Sequence, residues 1–83
     1  MEKKIASIVI LIHKGAKAYL LNSILSDFGE YILGRQGINI PNREISVITL
    51  IIEANTDIIG AVAGKLGRLP KIKVKTAMLN INY

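Results

Sequence analysis

Two long apolar segments constrain this chain of 83 residues more than any other feature. Residues 4–12 (KIASIVILI) and 44–53 (EISVITLIIE) are rich in β-branched side chains, which favour the extended backbone of a strand. Both segments are apolar at odd and even positions alike, so each is expected to be buried on both faces of a sheet. We therefore predict that they form two central strands.

Two amphipathic segments separate the predicted strands. Residues 16–28 place apolar side chains at helical spacing, and Gly29 is a natural stop after them. A second helix begins at Asn55 or Thr56, either of which can cap it, and it ends before Pro70.

Strands at 30–36 and 71–79 complete the order β-α-β-β-α-β, the split βαβ or ferredoxin-like arrangement. The last strand alternates apolar residues with lysine, which is typical of an edge strand whose charges prevent pairing with another sheet. We predict an α+β fold in one domain, residues 1–83. It is a βαββαβ sandwich with a four-stranded antiparallel sheet and two helices on one face, and its second and fourth strands are edges.

The other face of this sheet needs a partner, because two helices can cover only one. Apolar residues make up 51% of the chain, which exceeds what a small monomer needs. The simplest cover is the same face of another copy, so we predict a homodimer or homotetramer. Ile48 and Leu50 of the third strand are our candidates for this interface or for close packing.

The second helix carries three glycines, at positions 60, 64 and 67. Each costs roughly 0.5–1 kcal/mol relative to alanine. Gly60, Gly64 and Gly67 lie nearly opposite the large apolar side chains, at about 100° per residue. Close packing within the fold, contact with another subunit and contact with a small ligand would each explain them. A phosphate-binding loop is excluded because Leu66 stands where serine or threonine is required.

The net charge of +5 makes an anionic partner conceivable. Arg35 could form an anion-facing patch with Lys71, Lys73 and Lys75, although a solvated edge that prevents aggregation is the simpler interpretation. The chain has one Phe, three Tyr and no Trp, so a stacking platform for single strands is poorly supplied. A basic nucleic-acid-binding accessory protein in transcriptional regulation is the alternative function.

Catalytic machinery is not visible in the sequence. Cysteine is absent, and the six carboxylates are scattered, so no nucleophile, base and orienting group can be assigned together. We expect no enzyme activity, no cofactor and no metal site. His13 ends the first strand, where it could contact a ligand, share a metal with other chains or simply be solvated.

No apolar run approaches the roughly 20 residues that span a membrane, and the basic start lacks the features of a signal peptide. We expect a cytoplasmic protein that does not engage the membrane.

Residues 59–69 (IGAVAGKLGRL) and 73–76 (KVKT) resemble the family of iron-only hydrogenase system regulators. Residues 32–37 (ILGRQG), followed by Pro41, resemble the same family. The resemblance covers nearly the whole chain. It implies an ACT-like, ferredoxin-like fold similar to the C-terminal domain of nickel-responsive regulators, homo-oligomers, and a regulatory role near hydrogenase maturation genes.

ACT-like domains generally bind small molecules where the loop after strand one meets the first helix, near a subunit interface. The resemblance thus implies a ligand site in this sequence at His13, Lys14, Gly15 and Ala16, together with a small-molecule effector and a protein partner. The chain has no ribbon-helix-helix arm, so we do not expect it to bind DNA directly. Its single histidine cannot reproduce the multi-histidine nickel site of those regulators.

Overall fold

The computed structural model describes residues 2–82 of the chain. Within them, four strands and two α-helices follow the predicted order β-α-β-β-α-β, and a short 3-10 helix precedes the second strand. Their bounds are β1 Lys4–His13, α1 Ala18–Asp27, the 3-10 helix Gly29–Tyr31, β2 Ile32–Asn39, β3 Ile45–Ala54, α2 Thr56–Gly67 and β4 Ile72–Asn80. The predicted α+β, βαββαβ fold is confirmed.

All neighbouring strands are antiparallel, in the order β2-β3-β1-β4. The two segments that are apolar on both faces are therefore the central strands, and β2 and β4 are the edges. β1 and β3 pair along their full length, from Lys4 opposite Ala54 to His13 opposite Ile45. This register places the end of β1 beside the start of β3.

The hydrophobic core lies between one face of the sheet and the two helices. Leu21 and Leu25 of α1 are buried in it. The even-numbered residues of the central strands form the sheet side of the core, and the large apolar side chains of α2 pack against them. Among these, Ile8, Ile10, Leu50, Ile52, Ile59, Val62 and Leu66 are completely buried.

The edge strand β2 differs from its predicted bounds, residues 30–36. Residues 29–31 form the 3-10 helix, and β2 continues to Asn39. Its register against β3 shifts between Ile32 and Gly34, which marks a β-bulge at Leu33. A bulge breaks the alternation of faces, so the period-two pattern of this strand cannot be read directly from the sequence.

Ile48 and Leu50, which the sequence offered for an interface or close packing, belong to the core. Leu50 is completely buried and Ile48 is 9% exposed, because both point toward the helices. The residues of β3 on the other face include Val47, Thr49 and Ile51, which pair with Leu11, Val9 and Ser7 of β1. An interface on the uncovered face therefore uses the odd-numbered residues.

The uncovered face, hereafter the open face, carries apolar side chains on all four strands. They include Val9 (44% exposed), Ile51 (41%), Ile38 (53%) and Leu79 (71%). Lys73 and Lys75 of β4 lie on the same face, opposite Leu11 and Val9. The open face is thus an apolar surface with lysines along one edge.

Helix α2 begins with a side-chain cap and turns its glycines away from the core. The Asn55 Oδ1 atom accepts a hydrogen bond from the Ile58 backbone N–H at 2.9 Å, which confirms a predicted cap. A Cβ atom built on Gly60, Gly64 or Gly67 would meet no neighbouring atom within 4 Å. Close packing within this subunit therefore does not explain the glycines.

We predict that Gly64→Ala stabilises the fold. The added methyl group enters open space while the backbone loses unfolded-state freedom, so the free energy of unfolding should rise by roughly 0.5–1 kcal/mol. Urea denaturation followed by circular dichroism measures this change.

Gly15→Ala is the matched control with the opposite sign. Gly15 has φ +89°, so a side chain there should lower the free energy of unfolding by about 1–2 kcal/mol. A loss of stability in Gly64→Ala would instead show that the glycine face is covered by a neighbour.

Candidate functional site

The end of β1 and the loop that follows it are held by backbone hydrogen bonds to the residues just before β3 and β4, the strands on both sides of β1. The His13 N–H donates to the Lys71 carbonyl at 2.9 Å, and the Lys14 N–H donates to the Glu44 carbonyl at 3.0 Å. A third bond, from the Ala16 N–H to the His13 carbonyl at 3.1 Å, closes the turn. This anchoring fixes the position of the loop that the resemblance marks as a ligand site.

An open groove of about 410 Å³ lies between this loop and the turn that joins β2 to β3. The four predicted ligand residues, His13, Lys14, Gly15 and Ala16, all line it. Asn39, Ile40, Arg43, Glu44, Ile45 and Ser46 form the opposite wall, and Ile12 completes the lining. The structure thus brings the predicted residues together at one concave surface.

The groove carries more positive than negative charge. Its lining includes two permanent cations, Lys14 and Arg43, and one carboxylate, Glu44. The Lys14 ammonium contacts the Glu44 carboxylate at 3.0 Å, but both side chains are more than 70% exposed. Such an ion pair adds little stability and can open for a ligand. With Arg43 beside it, the groove favours an anionic group.

Three left-handed backbone positions shape this end of the sheet. Gly15 has φ +89°, Lys71 has φ +64°, and Asn42, in the β2–β3 turn, has φ +63°. The Lys71 Nζ atom lies 2.8 Å from the place that a Cβ atom on residue 15 would occupy. Glycine is suited to position 15 because of the positive φ, whereas the flexible end of the Lys71 side chain could move away from a Cβ atom there.

A second, more enclosed cavity of about 260 Å³ lies on the other side of Gly15. The start of α1 and the connection between α2 and β4 form its walls. Its remaining lining residues are Lys17, Leu20, Leu69, Pro70, Lys71 and Ile72. Leu69 is partly buried and packs against the core, so the cavity floor is continuous with it.

The predicted anion patch is wrong for a single chain. Arg35 lies on edge strand β2, whereas Lys73 and Lys75 lie on the opposite edge strand, β4. Arg35 pairs with Leu50 on the helix side of the sheet, and its Nη2 atom donates to Asn22 Oδ1 of α1 at 3.2 Å. Lys71 precedes β4 and turns toward Gly15. The four cations thus serve different surfaces.

Residues 2–82 contain neither a metal-binding cluster nor a helix that could span a membrane. No three His, Asp or Glu side chains in this range are grouped so that they could hold a metal ion. Neither of the two helices in the same range has the length and apolar character needed to cross a membrane.

Arg43 and Glu44 are groove residues that the sequence did not indicate. Their signal is the strand register, since pairing of β1 with β3 brings the turn before β3 next to His13. The sequence predicted that β1 and β3 are the two central strands. Once their register is known, the closeness of Arg43 and Glu44 to His13 follows.

Comparisons with known proteins agree with the fold. A family model with the description "TM1266-like: Iron-only hydrogenase system regulator, putative" matches residues 4–76. The solved structure of the uncharacterized protein TM1266 from Thermotoga maritima matches with a TM-score of 0.88 and 35% sequence identity. That match covers 95% of this chain and 100% of the TM1266 chain. A search of curated proteins finds no match.

The family match spans both helices and the central strands, and the structural match spans nearly the whole chain. The resemblance seen in the sequence is therefore confirmed, and the chain belongs to the TM1266-like family of iron-only hydrogenase system regulators.

Proposed function

We propose that this chain is a non-enzymatic regulatory module that binds a small anionic molecule in the groove between the β1–α1 loop and the β2–β3 turn. The observation that carries the proposal is the groove itself. Its lining combines all four residues of the predicted ligand loop with Arg43 from the facing turn. A concave surface with a few polar groups from separate segments is typical of a small-molecule site.

The family description supports the regulatory part of the proposal, because it names a regulator of the iron-only hydrogenase system. We propose the same role for this chain, exercised through a protein partner that responds to the bound ligand. The anionic preference rests on the charges of the lining, where Arg43 is not balanced by a second carboxylate.

We further propose that the module acts as a homo-oligomer assembled through the open face. Exposed apolar side chains on all four strands support this assembly, since water contact with such a surface is unfavourable. His13 and Ile45 are the last cross-strand pair of β1 and β3, and both also line the groove. A subunit on the open face would therefore stand beside the groove, so binding and assembly can influence each other.

We predict that a ligand of the groove raises the thermal midpoint of the protein. A screen of amino acids, nucleotides and divalent metals by differential scanning fluorimetry measures this effect. A ligand present at about 100 times its Kd adds about 2.7 kcal/mol, which corresponds to about 10 °C or more for a domain of this size.

Two groove variants and one distant variant test whether the ligand binds in the groove. His13→Ala and Arg43→Gln should reduce the midpoint shift, whereas Arg68→Gln, at the exposed end of α2, should leave it intact. Equal shifts in all four proteins would place the ligand elsewhere, and the absence of any shift across the three compound classes would contradict the proposal.

We also predict that Ile51→Lys prevents self-association. The buried charge would be unpaired in the apolar interface, which is strongly unfavourable. The thermal midpoint of the natural protein should rise with protein concentration, and that of the variant should not. Tyr19→Lys is the control, because Tyr19 is also exposed but lies on α1. If Ile51→Lys keeps the concentration dependence, the open face is not the interface.

A further inference from the structure

We infer that the second cavity is a binding site for a small aliphatic or aromatic carboxylate, separate from the proposed groove. The two concave surfaces share Gly15, but their remaining lining residues differ. The groove is formed by the β1–α1 loop and the β2–β3 turn. The second cavity lies between α1 and the α2–β4 connection.

The lining of the second cavity is mainly apolar. Leu20 and Leu69 are half-buried, Ile72 is 7% exposed, and Pro70 also lines the cavity. A volume of about 260 Å³ exceeds the roughly 150 Å³ that accommodates a benzene molecule in an engineered apolar cavity. The cavity can therefore hold a branched aliphatic chain or one aromatic ring.

Two lysines give the cavity its preference for a carboxylate. Lys17 and Lys71 are the charged residues of its lining, and the lining contains no carboxylate. Neither ammonium forms an ion pair with an acidic side chain among residues 2–82. A carboxylate at the cavity mouth would gain charge-assisted hydrogen bonds while its apolar part leaves water.

The position of Lys71 supports the same inference. Its backbone is left-handed, with φ +64°, and its carbonyl accepts the hydrogen bond from His13 that anchors the neighbouring loop. Its Nζ atom lies against Gly15, at the boundary between the cavity and the groove. The Lys71 side chain thus lies beside a residue that lines both the cavity and the groove, within reach of a ligand in the cavity.

The test is a titration of the ¹⁵N-labelled protein with 4-methylpentanoate, followed by amide chemical shifts at constant ionic strength. Saturable shifts should concentrate at the amides of residues 15–20, 69, 71 and 72, since Pro70 has no N–H. The neutral isostere 4-methylpentanamide should bind about tenfold or more weakly, because it lacks the charge that the lysines recognise.

Two surface variants test the recognition without disturbing the core. The double variant Lys17→Gln, Lys71→Asn should raise the Kd for 4-methylpentanoate about tenfold or more, since both charges are lost. Asparagine is chosen for position 71 because it tolerates a positive φ. Lys3→Gln is the matched control and should leave the Kd unchanged, because Lys3 is exposed and precedes β1, at the opposite end of the sheet from the cavity.

Several outcomes would overturn the inference. Shifts that do not saturate in the millimolar range, or equal affinity for the acid and the amide, would exclude a carboxylate site. Equal weakening by Lys3→Gln would show nonspecific attraction to a basic surface. Shifts at 69–72 that follow protein concentration instead of ligand concentration would show that a second copy occupies the cavity. Arg43→Gln separates the two sites, because it should weaken only the ligand of the groove.

Discussion

The structure depends on one mismatch between its sheet and its helices. The central strands, β1 and β3, present apolar side chains on both faces, but two helices cover only one face. Burial of Leu50, Ile52 and their neighbours under α1 and α2 drives folding of the single chain. The same strands leave Val9 and Ile51 on the open face, where a second subunit is the cover that we propose.

The fold was predictable because strong local signals agreed with one another. Two segments apolar at both parities had to be central strands, and the lysine-rich segment suited an edge. Asn55 caps α2 because the residue comes directly after β3 and its side chain accepts a hydrogen bond from the first turn of the helix. The start of α1 differs from the prediction: the helix begins at Ala18 rather than residue 16, since the turn closed by Ala16 precedes it.

The apolar character of β3 at both odd and even positions predicted that this strand is buried, but it could not show which face meets the helices. When both parities are apolar, periodicity gives no indication of which one meets the helices, so Ile48 and Leu50 were as good candidates as Val47 and Ile51. Arg35 was grouped with the β4 lysines although the predicted topology already puts β2 and β4 at opposite edges of the sheet. The sequence also does not show that the Arg35 side chain lies on the helix side and the side chains of Lys73 and Lys75 on the open face. The groove residues Arg43 and Glu44 depend on strand register, which is a long-range property.

Both candidate binding sites lie at the end of the sheet where β1 finishes. Gly15 and Lys71 adopt left-handed conformations there, and hydrogen bonds tie the loop to β3 on one side and to the segment before β4 on the other. This end is therefore the place where a ligand, the loop and a second subunit on the open face could act on one another. A regulatory module needs such a junction, because a bound molecule must change a surface that a partner contacts.

The central claim is that the open face is covered by another copy of the chain. Sedimentation equilibrium of the natural protein at micromolar concentration tests it most directly. The account predicts a molar mass that is a multiple of the 9.1 kDa chain, a dimer or a tetramer. A single species of 9.1 kDa across the concentration range would contradict it.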